Sequence, residues 1–96
     1  MKVVALDGSG WRIPADFYDA LLPELGAPDW HGRNLNALYD SLRGDINRLE
    51  PPFEVVIQGA TGLSPDMQSF LTNVALLFED ARREFGADVS LLLAEL

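Results

Sequence analysis

The chain has no cysteine, one histidine and only seven Lys and Arg among its 96 residues. Each scarcity closes off a class of function. Without thiols there is neither a disulfide framework nor a thiolate metal site, and the composition suits a reducing compartment. A lone His31 cannot complete the His and Cys set of a structural zinc, and no carboxylate spacing resembles that of a magnesium or calcium loop. The expectation is therefore no metal and no cofactor. Seven cations against fifteen Asp and Glu leave a net charge of −8. Phosphate backbones repel such a surface, so direct nucleic-acid binding is not expected. Long apolar runs are missing too: Met1 to Leu6 carries one Lys and a short apolar run that Asp7 ends, far less than a signal peptide or a membrane span needs. These features predict a cytoplasmic protein with no membrane association, monomeric when free.

What is present is enough to build a core. Hydrophobic residues make up 48% of the chain, with two Trp and five Phe, which separates it from disordered acidic tails. The length predicts one domain over residues 1–96, able to bury roughly 60 to 65% of its unfolded surface. The negative charge then lies on a folded body, whose natural partners are basic proteins.

Along the chain, Lys2 to Leu6 reads as a short buried strand running into Asp7-Gly8-Ser9-Gly10. Gly8 and Gly10 begin a dinucleotide-like pattern, but its third glycine is absent. Pro14 suits a first helical turn, and Phe17, Leu21 and Leu25 recur every fourth residue behind it. Pro23 is expected to end or kink this helix near Leu22. After a second, short helix and the polar connection Asp45 to Pro52, Phe53 to Gln58 has strand composition. Gly59 to Gly62 occupies the place of a phosphate loop without its Lys and Ser/Thr, and reads as a flexible turn. Ser64-Pro65 then opens the longest helix, with Met67, Phe70, Leu71, Val74, Leu77, Phe78 and Ala81 on one stripe until Gly86. Val89 to Leu93 is apolar apart from Ser90, as for a strand covered on both faces or nearly so. Helix separates each pair of strands, which predicts an α/β fold: a right-handed, three-stranded parallel sheet with three to four helices packed on it.

The stretch Leu25 to Gly44 carries the functional signal. Asn34 is a good N-cap and Gly44 a good residue just past a helix end, so Leu35 to Arg43 should be helical. At about 100° per residue Leu35, Leu38 and Leu42 share a stripe, and Asn36, Tyr39, Asp40 and Arg43 fall roughly opposite. The preceding loop, Pro28 to Gly32, adds Asp29, Trp30 and His31, the last read as a loop residue at the binding surface. Trp, Tyr and carboxylate grouped on one protruding element are the composition of an interface anchor. They do not form an active site: Asp29 and Asp40 would lie on a convex surface, without the water-excluding pocket that tunes a carboxylate for acid–base work. No nucleophile with its base is present elsewhere, so the chain is not expected to be an enzyme and no residue is assigned a catalytic role.

The run Pro28 to Leu42, with Trp30, Gly32, Asn34, Leu35, Ala37, Leu38, Tyr39 and Asp40 at that spacing, resembles the segment with which the barstar family of intracellular ribonuclease inhibitors binds its target. The similarity extends more loosely over almost the whole chain, through the Asp7-Gly8 turn to Phe78, Glu79, Asp80, Ala81 and Gly86-Ala87-Asp88. It implies a barstar-like domain, a bacterial immunity protein whose partner is a basic, secreted microbial ribonuclease. It also implies site roles: Trp30 stands where the family has an aromatic, Gly32 and Asn34 match, Tyr39 stands where Trp is common, and Asp40 matches the central carboxylate. Asp80, or Glu79 beside it, would supply a further acidic contact from the long helix, since one more residue precedes Gly86 here. Asn36 and Arg33 replace an Asp and a Glu of the best-known member. The alternative is an acidic interaction module of the same fold whose partner is not a ribonuclease.

Overall fold

The computed structural model describes residues 1–43 and 46–94; Gly44, expected to follow the second helix, lies outside the described residues. Strand β1, Lys2–Asp7, passes through an Asp7–Ser9 turn to helix α1, Pro14–Leu25, and then to α2, Leu35–Ser41. Strand β2, Phe53–Gln58, a single 3-10 turn at Ala60–Gly62, helix α3, Pro65–Phe85, and strand β3, Val89–Ala94, complete the order. The sheet runs β1-β2-β3 with both pairs parallel, Val4 opposite Val55 and Val55 opposite Leu91. The expected three-stranded parallel α/β fold is the observed one.

Stepping through the strands in one direction has a geometric result. Two right-handed crossovers taken the same way place their helices on the same face of the sheet. The opposite face is left open, and burial alternates accordingly: Val4, Leu6, Val55 and Ile57 are buried, whereas Val3 and Leu92 stay about half exposed. This corrects the expectation that β3 is covered on both faces, and β1 likewise is buried on one side only. Apolar composition in a parallel strand did not distinguish the two cases.

Helix α1 also departs from expectation, continuing through Pro23 to Leu25. The proline removes a hydrogen bond to the preceding turn, but the helix has only two more residues to run, and Leu25 is fully buried. Gly26 closes it at φ 63°, its N–H bonded to Pro23 O at 3.1 Å and the Ala27 N–H to Leu22 O at 3.0 Å, the paired bonds of a Schellman closure. Burial of Leu25 and the satisfied carbonyls offset the lost bond.

Helices α3 and α1 each supply five of the buried core residues, and the strands supply most of the rest. Ser64 caps α3, accepting the Met67 N–H at 3.2 Å, and Met67, Leu71, Val74, Phe78 and Ala81 are buried on its inner stripe. Each large apolar side chain so buried contributes about 1.5 to 3 kcal/mol. Phe17 of α1 packs edge-on against Phe70 of α3, ring centroids 5.6 Å apart, joining the two outer helices over the sheet. Gly59 to Gly62, read as a flexible turn, holds the 3-10 turn, which Gly59 enters at φ 78°.

Candidate protein-binding surface

Helix α2 is short and depends on its cap and on the core. Asn34 accepts the Ala37 N–H at 2.8 Å, and Leu38 and Leu42 are buried beneath it. Its regular part ends at Ser41, whose hydroxyl donates to Leu38 O at 2.9 Å; Leu42 and Arg43, expected inside the helix, form the turn that follows. Leu35 is only half-buried, packed at the margin of the core.

The loop before α2 rests directly on its first turn. A Cβ on Gly32 would come 2.8 Å from Asn34 Nδ2 and 3.2 Å from Ala37 Cβ, so the close approach depends on glycine there. Trp30 is 74% exposed, a large apolar group left in water, and Asn36 is exposed on the helix. His31 differs from expectation. It lies in the loop, but its side chain is only 8% exposed. A carbonyl can only accept, so the 2.7 Å contact of Nδ1 with Gly32 O puts the proton on Nδ1. Nε2 is buried and has no hydrogen-bond partner among the described residues. The imidazole shapes the loop from inside and is not part of the outer surface.

The far end of the surface joins α2 to the last turn of α3. The Tyr39 ring lies 4.8 Å from that of Phe85, and the Arg43 guanidinium sits 4.6 Å above the Phe85 centroid. Partial desolvation raises the Tyr39 phenol above its ordinary value, helped by the negative charges of Glu84 and Asp80. Asp80 and Glu84, one helical turn apart, act on the Tyr39 phenol through their charge, whereas Glu79 lines a shallow groove with Arg82 and Arg83. Asp80 also pairs with Arg83 on its own helix. Phe85 was not anticipated from the sequence, although its position four residues after Ala81 continues the inner stripe.

The charges on this surface are unequally engaged. Arg33 is tied to Asp19 of α1, so the cation that replaces a family carboxylate is locally neutralised. Among the described residues Asp40 is exposed and forms neither an ion pair nor a side-chain hydrogen bond. The structure thus brings Tyr39 and Arg43 together on Phe85, with the charges of Asp40 and Asp80 acting on the Tyr39 phenol, and keeps Gly32 and Asn34 as the foundation of the loop. Among the described residues the side chains of Trp30 and Asn36, on the same segment, have no ring or hydrogen-bond partner.

A Bacillus subtilis (strain 168) protein named "Putative ribonuclease inhibitor YrdF" is 25% identical over 93 residues, covering 97% of this chain and 99% of that protein. The family described as "Barstar (barnase inhibitor)" matches residues 1–94, which takes in every strand and helix described above. The chain belongs to the barstar family.

Proposed function

We propose that the protein inhibits a basic, secreted microbial ribonuclease, without catalysis of its own, by placing the outer face of α2 over the enzyme's active site. A ribonuclease must hold an anionic phosphodiester and a transition state of greater charge, so its site converges cationic donors. A carboxylate on a fixed helix can occupy the phosphate position. Asp40 is suited to this because its helix is anchored through Leu38 and Leu42 while, among the described residues, its own oxygens are unengaged, and this contrast is the observation that carries the reading. Trp30 and Tyr39 would cover apolar area around the charge contacts and exclude water from them. The net charge of −8 would speed encounter with a basic enzyme.

The test is a titration against a panel of basic microbial ribonucleases at low and physiological salt. At least one enzyme should be inhibited stoichiometrically, with an association rate that falls steeply as salt rises and a dissociation rate that changes less. Inhibition of none would leave the acidic interaction module with another partner as the better reading. A salt-independent association rate would remove the phosphate-mimic mechanism.

A further inference from the structure

Arg43 runs against the acidic charge of this surface. The chain has carboxylates to spare, and Arg33 and Arg83 each take one, from Asp19 and Asp80. Arg43 takes none: among the described residues its guanidinium forms no ion pair and donates no hydrogen bond, although it shares the surroundings of the Tyr39 phenol with Asp40, Asp80 and Glu84. It lies instead over the Phe85 ring, whose own position is held by contact with Tyr39. A guanidinium seated on a ring face keeps the N–H groups at its edge free, and with the side chain already ordered, less entropy is lost when those donors are used.

We infer that Phe85 positions Arg43 as a specificity determinant, a fixed guanidinium next to Asp40 that receives a carboxylate of the partner. The inference rests on the proposed role of α2 as the inhibitory element and narrows the partner. The target would carry an acidic side chain beside its phosphate-binding cations, so that opposite charges alternate across the interface. A carboxylate in that place has a chemical use, since attack by the ribose 2′-hydroxyl requires a general base. The planar fork of Arg43 suits bidentate pairing with it.

The decisive variant is Arg43→Glu, measured against the ribonuclease that the parent inhibits best. Charge steering alone predicts that making an acidic inhibitor more acidic tightens its hold on a basic enzyme. The inference predicts the reverse, a loss of at least about tenfold, with Arg43→Lys recovering only part because it keeps the charge without the fork. Phe85→Leu should weaken inhibition by about fivefold, and Arg43→Ala should cost less in that background than in the parent. Thermal unfolding measured in parallel detects loss of fold. Should Phe85→Leu also unfold at lower temperature, Arg43→Glu decides alone, because that side chain is exposed. Inhibition by Arg43→Glu equal to or better than the parent's overturns the inference, with Asp40→Ala as control. If Asp40→Ala inhibits as the parent does, the assignment of α2 itself has failed and the inference falls with it.

Discussion

Helices α2 and α3 follow the same periodicity and use it for opposite ends. In α3, 21 residues long, the inner stripe from Met67 to Ala81 is spent on the core, and the outer side carries a mixture of acids, bases and amides. In α2 and the turn after it, Leu38 and Leu42 suffice to hold the element, and its outer side presents Asn36, Tyr39, Asp40 and Arg43. Through Ala81, α3 is explained by folding, and its last turns meet Tyr39 and Arg43. Helix α2 is held in place by folding, while its outward residues need another explanation, which is why separate measurements should divide the two.

The division is tested most severely in the core of α3. Phe78→Ala removes a fully buried ring and should cost about 3 to 5 kcal/mol of stability, visible as a fall in unfolding temperature and denaturant midpoint. The folded fraction should still inhibit with the parent's affinity. A Phe78→Ala protein that is stable but cannot inhibit would show that α3 acts directly on the partner, and the comparison would break.

Asp40→Ala is the mirror experiment. The side chain is exposed and has no partner among the described residues, so stability should change by no more than about 0.5 kcal/mol. Binding should weaken by about 2 to 5 kcal/mol, thirtyfold or more, because the enzyme's cations are left buried and unpaired. The barnase–barstar complex is itself one of the systems behind that range, so its size is taken from the family and not from this structure. Unchanged inhibition with unchanged unfolding would remove Asp40, and with it α2, from the proposed contact.

The sequence revealed these helices unevenly, for physical reasons. Strand and helix order, the Asn34 and Ser64 caps and the leucines of α2 depend on local chemistry, and they were legible. Pro23 was misleading because its effect depends on how much helix remains beyond it, which is decided by burial of Leu25. The open face of the sheet was invisible because it follows from strand order, a property of the whole topology. His31 and Phe85 failed in complementary ways: a polar residue in an exposed loop turned inward, and a residue on the apolar stripe came to support the surface. Both outcomes depend on contacts between α2, its loop and α3 that no local window contains.

A smaller effect should appear at high pH, from one tyrosine on α1 and one on α2. Tyr18, buried against the Phe17 and Phe70 rings, and Tyr39, beside Glu84 and Asp80, both hold their protons above the ordinary tyrosine value. For Tyr18 desolvation is the cause; for Tyr39 desolvation leads and the carboxylates add to it. A phenol that the fold keeps neutral stabilises fully below its unfolded pKa near 10, and that stability is lost as pH rises through the higher folded value. Denaturant midpoints should therefore fall above about pH 10, and Tyr18→Phe and Tyr39→Phe should each flatten part of the decline. Midpoints unchanged to pH 11.5 would contradict the assignment.

The smallest change sharpens the comparison most, because it adds charge to α2 without touching the core. Asn36 is exposed, occupies the first turn of α2, and stands one turn before Asp40 on the same side. Asn36→Asp places a carboxylate near the positive end of the helix dipole, a gain of about 0.3 to 1 kcal/mol, and four residues before another carboxylate, a loss of about 0.2 to 0.5 kcal/mol. The two nearly cancel in stability. They do not cancel in binding, since a cationic enzyme meets both charges from outside. Association at low salt should be faster than the parent's, and the gain should shrink at physiological ionic strength. Affinity should hold or improve wherever the enzyme has a further cation to meet it. Slower association at low salt would mean that the surface facing the partner is not cationic next to Asp40, and the outward side of α2 would have to be read as something other than an imitation of phosphate.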